Sequence, residues 1–123
     1  MNKKERPILS DLVNAGTSDI EKFQNEVIRP IIKMQHNLLV ASFKNYLQKR
    51  KIDFLALSDP KKRSRISSVF KTDNTYKNTI LGFIIGHFSL EEYAFYIANS
   101  SEINKRILQI SSQRICDSIQ ELN

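Results

Sequence analysis

The sequence predicts an all-α fold, a compact bundle of five to six mainly antiparallel helices around a central, proline-kinked helix. Three observations carry this. Only three glycines and three prolines occur in 123 residues, too few for a turn-rich β architecture. No stretch alternates apolar and polar residues for the length of a strand. Apolar residues instead recur at helical spacing, and Ser, Thr or Asp stands where each helix would begin.

A chain this long forms one domain and buries enough surface for a real core. Residues 1–8 read as a charged, flexible leader. Ser10 to Ala15 suit a short helix stopped at Gly16. Ser18 and Glu21 have the spacing of a capping box. The helix they open should run to about Lys51, with Val27, Ile28, Ile31, Ile32, Leu39, Phe43 and Leu47 on more than one face. A helix apolar on several sides belongs at the centre of the fold. Pro30 lies inside it and should kink or break it, because proline lacks the amide donor and crowds the preceding turn.

Ser58-Asp59-Pro60 starts a helix ending near Thr72. Asp73 caps the next, which carries Tyr76, Ile80, Phe83 and Ile84. Ser89 and Glu92 form a second capping box. Asn99-Ser100-Ser101 divides that helix from the last one. Short links of this kind favour antiparallel neighbours.

The net charge is +6, and its position is informative. Lys44, Lys49, Arg50, Lys51, Lys61, Lys62, Arg63 and Arg65 face only Asp53 and Asp59 within residues 44–65. That surplus equals the net charge, so the rest of the chain balances. Such a patch suits phosphates or an acidic partner. Cations ending a helix also complement its dipole, which accounts for Lys49, Arg50 and Lys51 locally, and the plainer reading of the patch is a solvated helix end and loop.

A second candidate is a ligand pocket. Glu26, Arg29, Gln35 and His36 sit among apolar residues, and Arg29 and His36 lie seven apart on one helix face. Buried polar groups need partners, so they mark either a structural network or a lined pocket. His87 follows Gly86, and Gly82 four residues earlier would let another helix approach closely. Tyr93 and Tyr96 could wall the pocket. If His36 and His87 met Glu91 or Glu92, they could hold a metal, although the spacing is that of no known ligand motif and no metal or cofactor is called for. Cys116 is the one cysteine, which excludes a disulfide framework and suits an inert core position. No nucleophile elbow, phosphate loop or dinucleotide-binding glycine pattern is present. The longest apolar run, Ile80 to Ile85, is far short of a membrane span, and no signal-peptide core follows the basic start. A cytoplasmic location is expected.

Phe23 to His36 (FQNEVIRPIIKMQH), together with Gly86 to Tyr93 (GHFSLEEY), resembles a family of small uncharacterised bacterial all-helical proteins, from about Phe23 onward. Some of its members carry a glyoxalase label. The resemblance implies a bacterial helical protein, with a glyoxalase-type lyase as one possible activity. The glyoxalase fold, however, is built from βαβββ modules with metal ligands on strands, and no such strands are predicted here.

Three functions follow as expectations. The leading one is a non-enzymatic helical module that binds a protein partner or pairs as a homodimer. The others are nucleic-acid binding through the 44–65 patch, and a small-ligand or metal-assisted enzyme at the His36 and His87 cluster.

Overall fold

The computed structural model describes residues 18–122. The leader and the short helix expected at Ser10–Ala15 lie outside the described residues. The fold is the expected all-α bundle, with no strand among the described residues.

Ser18 starts α1 (Asp19–Phe23), its hydroxyl accepting from the Glu21 amide at 3.0 Å. A π-helical turn (Gln24–Ile28) follows, then α2 (Arg29–Met34) and α3 (His36–Lys49). The wide turn explains how the helix accommodates Pro30. An α-helical Pro30 would leave the Glu26 carbonyl without a donor and press on it. The backbone widens one turn earlier instead, and the Arg29 amide reaches back to the Gln24 carbonyl. A second irregularity falls at Gln35, with φ −95° and ψ 15° between α2 and α3.

The bundle counts five or six helices according to whether 19–49 is taken as one rod or as two halves joined at Gln35. Its inner side is fully buried at Phe23, Val27, Ile28, Ile31, Ile32, Leu39 and Phe43, so this segment is the middle of the molecule.

Two backbone bonds close α3. Ile52 N–H donates to the Leu47 carbonyl and Lys51 N–H to the Gln48 carbonyl, both at 3.0 Å. This is a Schellman ending, and it places Lys51 at φ 55°, where glycine is the usual occupant. A 3₁₀ turn (Phe54–Ala56) leads into α4 (Asp59–Thr72). Asp73 alone links α4 to α5 (Asn74–Ile85) and caps it, accepting from the Tyr76 amide at 3.0 Å. The Ser89 and Glu92 capping box is complete and opens α6 (Leu90–Ala98). Asn99 separates α6 from α7 (Ser100–Cys116), and a 3₁₀ turn (Ile119–Leu122) ends the described chain.

Isoleucine is the commonest residue of the core, which also holds two aromatic groups. Phe43 sits among Tyr46, Phe54, Phe70 and Tyr76, with ring centroids 5.9 to 6.5 Å away. Phe23 packs on Phe88 at 5.4 Å and Phe95 at 5.0 Å, tying α1 to α6. Helix α7 presents Ile103, Ile107, Ser111 and Ile115 to the interior. Arg106 joins α7 to the π turn, bonding Glu102 at 2.8 Å and the Gln24 side-chain carbonyl at 3.1 Å.

Two expectations need correction. No helix packs closely at Gly82. A methyl group there would meet nothing within 4 Å, and at Gly86 it would meet the Gly82 carbonyl oxygen at 3.1 Å. Lys62 is not on the solvated patch. It is buried, with its ammonium 5.6 Å from the centroid of the Phe54 ring. Four residues before Ile66, it lies on the inward stripe of α4 with Val69 and Phe70.

Candidate functional site

A concavity lies between α3 and α5, and each helix contributes one face to it. Ser42, Asn45, Tyr46 and Lys49 recur at helical spacing along α3, while Thr75, Tyr76, Thr79 and Phe83 do so along α5. Together they line a cleft of about 550 Å³, with Arg50 and Asp73 at one end. That size is within the range of small-ligand sites.

One carboxylate organises that end. Asp73 accepts from the Tyr76 amide through one oxygen, and through the other from the Tyr46 hydroxyl at 2.7 Å and the Arg50 guanidinium at 2.8 Å. The Tyr76 amide, then the Tyr46 hydroxyl, then the Arg50 charge hold its pKa below the ordinary carboxylate value. Arg50 also lies over the Tyr46 ring, 4.8 Å from its centroid. Deeper in, the Ser42 hydroxyl donates to the Leu39 carbonyl at 2.8 Å and meets the Tyr76 hydroxyl at 3.0 Å. Ser42 has a single proton, so the Tyr76 hydroxyl is the donor between the two. Burial pushes the Tyr76 hydroxyl up to about 12. Burial and the Asp73 bond raise Tyr46 as well. Both phenols therefore remain neutral donors at physiological pH.

The polar groups of the cleft are held in fixed roles. Ser42 has no base beside it, Asp73 is engaged as a cap, and neither tyrosine is activated. The charge nevertheless favours an anion. Asp73 balances Arg50, but Lys49 has no ion-pair partner among the described residues. Arg65 of α4 acts on Tyr46 electrostatically, so the basic face of α4 borders the same corner. Lys61 and Arg65 share a neighbouring surface hollow of about 290 Å³. The expected patch thus partly converges on the mouth of the cleft, with Lys51 just past the same helix end and Lys44 on α3 outside the cleft lining.

The other candidate residues do not form one pocket. The Gln35 side-chain amide contacts His87 Nε2, linking the middle rod to the end of α5. His36, the next residue, turns to α7 and the C-terminal turn. Its Nε2 meets Glu121 at 2.9 Å, and its Nδ1 accepts from Arg114 at 3.2 Å. Adjacent Gln35 and His36 thus reach different parts of the bundle. Among the described residues, no group of three His, Cys, Asp or Glu is placed to hold a metal ion. Glu26 and Arg29 are exposed, and Arg29 Nε bonds Asn25 at 3.3 Å. The Tyr96 hydroxyl donates to Asn104 at 2.8 Å, with the Tyr93 ring 5.9 Å from its own. Tyr93 instead joins Leu90 and Ile97 on an outward apolar face of α6. Cys116 is buried, and burial pushes its thiol pKa up, away from reactive thiolate chemistry.

No described helix is long and apolar enough to cross a membrane. Comparison with known proteins gives no matching family model, no matching curated protein and no matching solved structure. The class defined by fold and site is an all-α bundle with a hydroxyl-lined, basic-rimmed cleft between α3 and α5.

Proposed function

We propose that this protein is a non-enzymatic binding module that takes an acidic segment of a protein partner at the basic corner of α3 and α4, with the α3–α5 cleft as its deepest part. The observation that carries the reading is the coincidence of Lys49 and Arg65, neither of them ion-paired among the described residues, with a cleft whose one carboxylate, Asp73, is already balanced by Arg50 and whose other walls are neutral. A carboxylate entering there meets cations at the rim and the Thr75 hydroxyl and Asn45 amide on the walls, and an apolar neighbour on the same peptide rests against Phe83 and Tyr76. Nucleic acid is favoured less. Strand-tracking proteins offer open aromatic faces for stacking bases, whereas the Tyr46 ring lies beneath Arg50 and beside Tyr76, with the Tyr46 and Tyr76 centroids 5.1 Å apart.

The test is fluorescence anisotropy with a labelled glutamate-rich peptide and a single-stranded oligonucleotide of equal charge, titrated at rising salt. The peptide should bind more tightly, and its affinity should fall as salt screens the contacts. The double variant Lys49→Glu/Arg65→Glu should weaken it by at least roughly tenfold. Both side chains are exposed, so its melting curve should stay close to the parent's. Absence of peptide binding at low salt, indifference to the double variant, or tighter binding of the oligonucleotide would overturn the reading.

A further inference from the structure

Arg29 stood out in the sequence, and the α3–α5 cleft makes no use of it. It borders a different depression, a groove of about 460 Å³ between the 24–29 segment and α7, where it shares the lining with Arg114. Gln24, Gln109, Gln113, Asp117 and Ser118 complete the polar wall.

Neither guanidinium is paired with a carboxylate among the described residues. Among the described residues Arg29 bonds through its Nε, toward Asn25. Arg114 uses one terminal N–H, toward His36 Nδ1. The planar donor forks of both are otherwise uncommitted among the described residues. The carboxylates nearby are already engaged, since Asp117 accepts from Gln113 at 2.9 Å and Glu121 is bonded to His36. Two guanidiniums facing one hydrogen-bonded carboxylate leave the groove with a net positive charge. The glutamine amides add neutral groups able to bond the body of a ligand.

From this arrangement we infer that the groove is a binding site for a small dianionic oxyanion, a phosphate monoester or a dicarboxylate, clamped between Arg29 and Arg114. Arginine forks match such planar or tetrahedral oxygen pairs bidentately. Because His36 Nδ1 accepts from Arg114, the imidazole reports on occupancy. An oxyanion drawing Arg114 toward the groove changes the surroundings of Nδ1 and of the Glu121 contact behind it.

The experiment is an NMR titration of the full chain, following the arginine Nε–Hε and His36 ring signals. Inorganic phosphate and succinate are the two probes, and chloride at matched ionic strength is the control. Saturable shifts at Arg29, Arg114 and His36 are expected with at least one of the two dianions and not with chloride. Whichever binds more tightly identifies the phosphate or the dicarboxylate as the preferred chemistry. Arg29→Gln, at an exposed position, should weaken binding about tenfold, the loss of one charge-assisted pair. Arg50→Gln in the other cleft should leave it unchanged. Arg114→Gln removes the second clamp but also frees His36, so Arg29→Gln is the deciding variant. Non-saturating drift, an equal response to chloride, or full binding by Arg29→Gln would overturn the inference.

Discussion

Replacing Phe43 with alanine is expected to destabilise the fold by about 3–5 kcal/mol, the range for deleting a fully buried aromatic side chain. Phe43 is inaccessible to solvent, and the rings of Tyr46, Phe54, Phe70 and Tyr76 surround it. Those rings come from α3, α4, α5 and the 3₁₀ turn, so no single helix can relax to fill the space. A domain of ordinary stability, about 5–15 kcal/mol, would lose a large part of it. The cleft should suffer too, since Tyr46 and Tyr76 form its wall and lean on Phe43. Phe43→Leu retains most of the volume and should cost far less. Urea denaturation of the three proteins measures the difference. A Phe43→Ala loss below about 1 kcal/mol would mean that the site collapses freely and that the cluster is not the hub described.

Asp73 is the second position where one substitution should reach far. Asp73→Ala removes the cap of α5 and the shared acceptor of Tyr46 and Arg50 together. The thermal midpoint should fall by several degrees, and Arg50 should swing free of the Tyr46 ring. Asp73→Asn keeps a side-chain oxygen for the Tyr76 amide, and asparagine is a good N-cap. It should therefore fall between parent and alanine, losing the ionic part of the Arg50 contact. The pH dependence fixes the sign. The folded-state pKa of Asp73 is depressed, so its stabilisation is fully present above the ordinary carboxylate pKa and is lost as pH falls through the lowered folded value. Parent and Asp73→Asn melting curves should be well separated at neutral pH and draw together as pH falls below the ordinary carboxylate range. A constant separation would show that the Asp73 charge has no part in holding the corner.

What the sequence revealed and what it concealed divides along physical lines. Caps depend on a few neighbouring residues, so Ser18, Asp73 and the Ser89–Glu92 box were readable in advance. Pro30 was readable as a disturbance, but its form was not. A proline demands relief without specifying a kink or a wide turn, and packing of Val27 and Ile28 against the core decides between them. Lys62 was readable in principle, being in phase with Ile66, Val69 and Phe70, but its charge argued for the surface. The Phe54 ring makes the inward position tolerable.

The sites were harder. His36 meets Glu121 across 85 residues, and Gln35 meets His87 across 52. Such pairings depend on how helices rotate against one another, which no local pattern encodes. The polar stripe Ser42, Asn45, Tyr46 and Lys49 did carry a periodic signal. It became a cleft wall only because α5 sets Thr75, Tyr76 and Thr79 opposite.

The central claim is that the basic corner, with the α3–α5 cleft behind it, is where a partner sits. Mapping amide and side-chain shifts during titration with the glutamate-rich peptide tests this most directly. The largest changes should fall on Asn45, Tyr46, Lys49, Arg50, Arg65 and Thr79, with the outward face of α6 silent. A footprint centred on Leu90, Tyr93 and Ile97, with the corner unmoved, would contradict it.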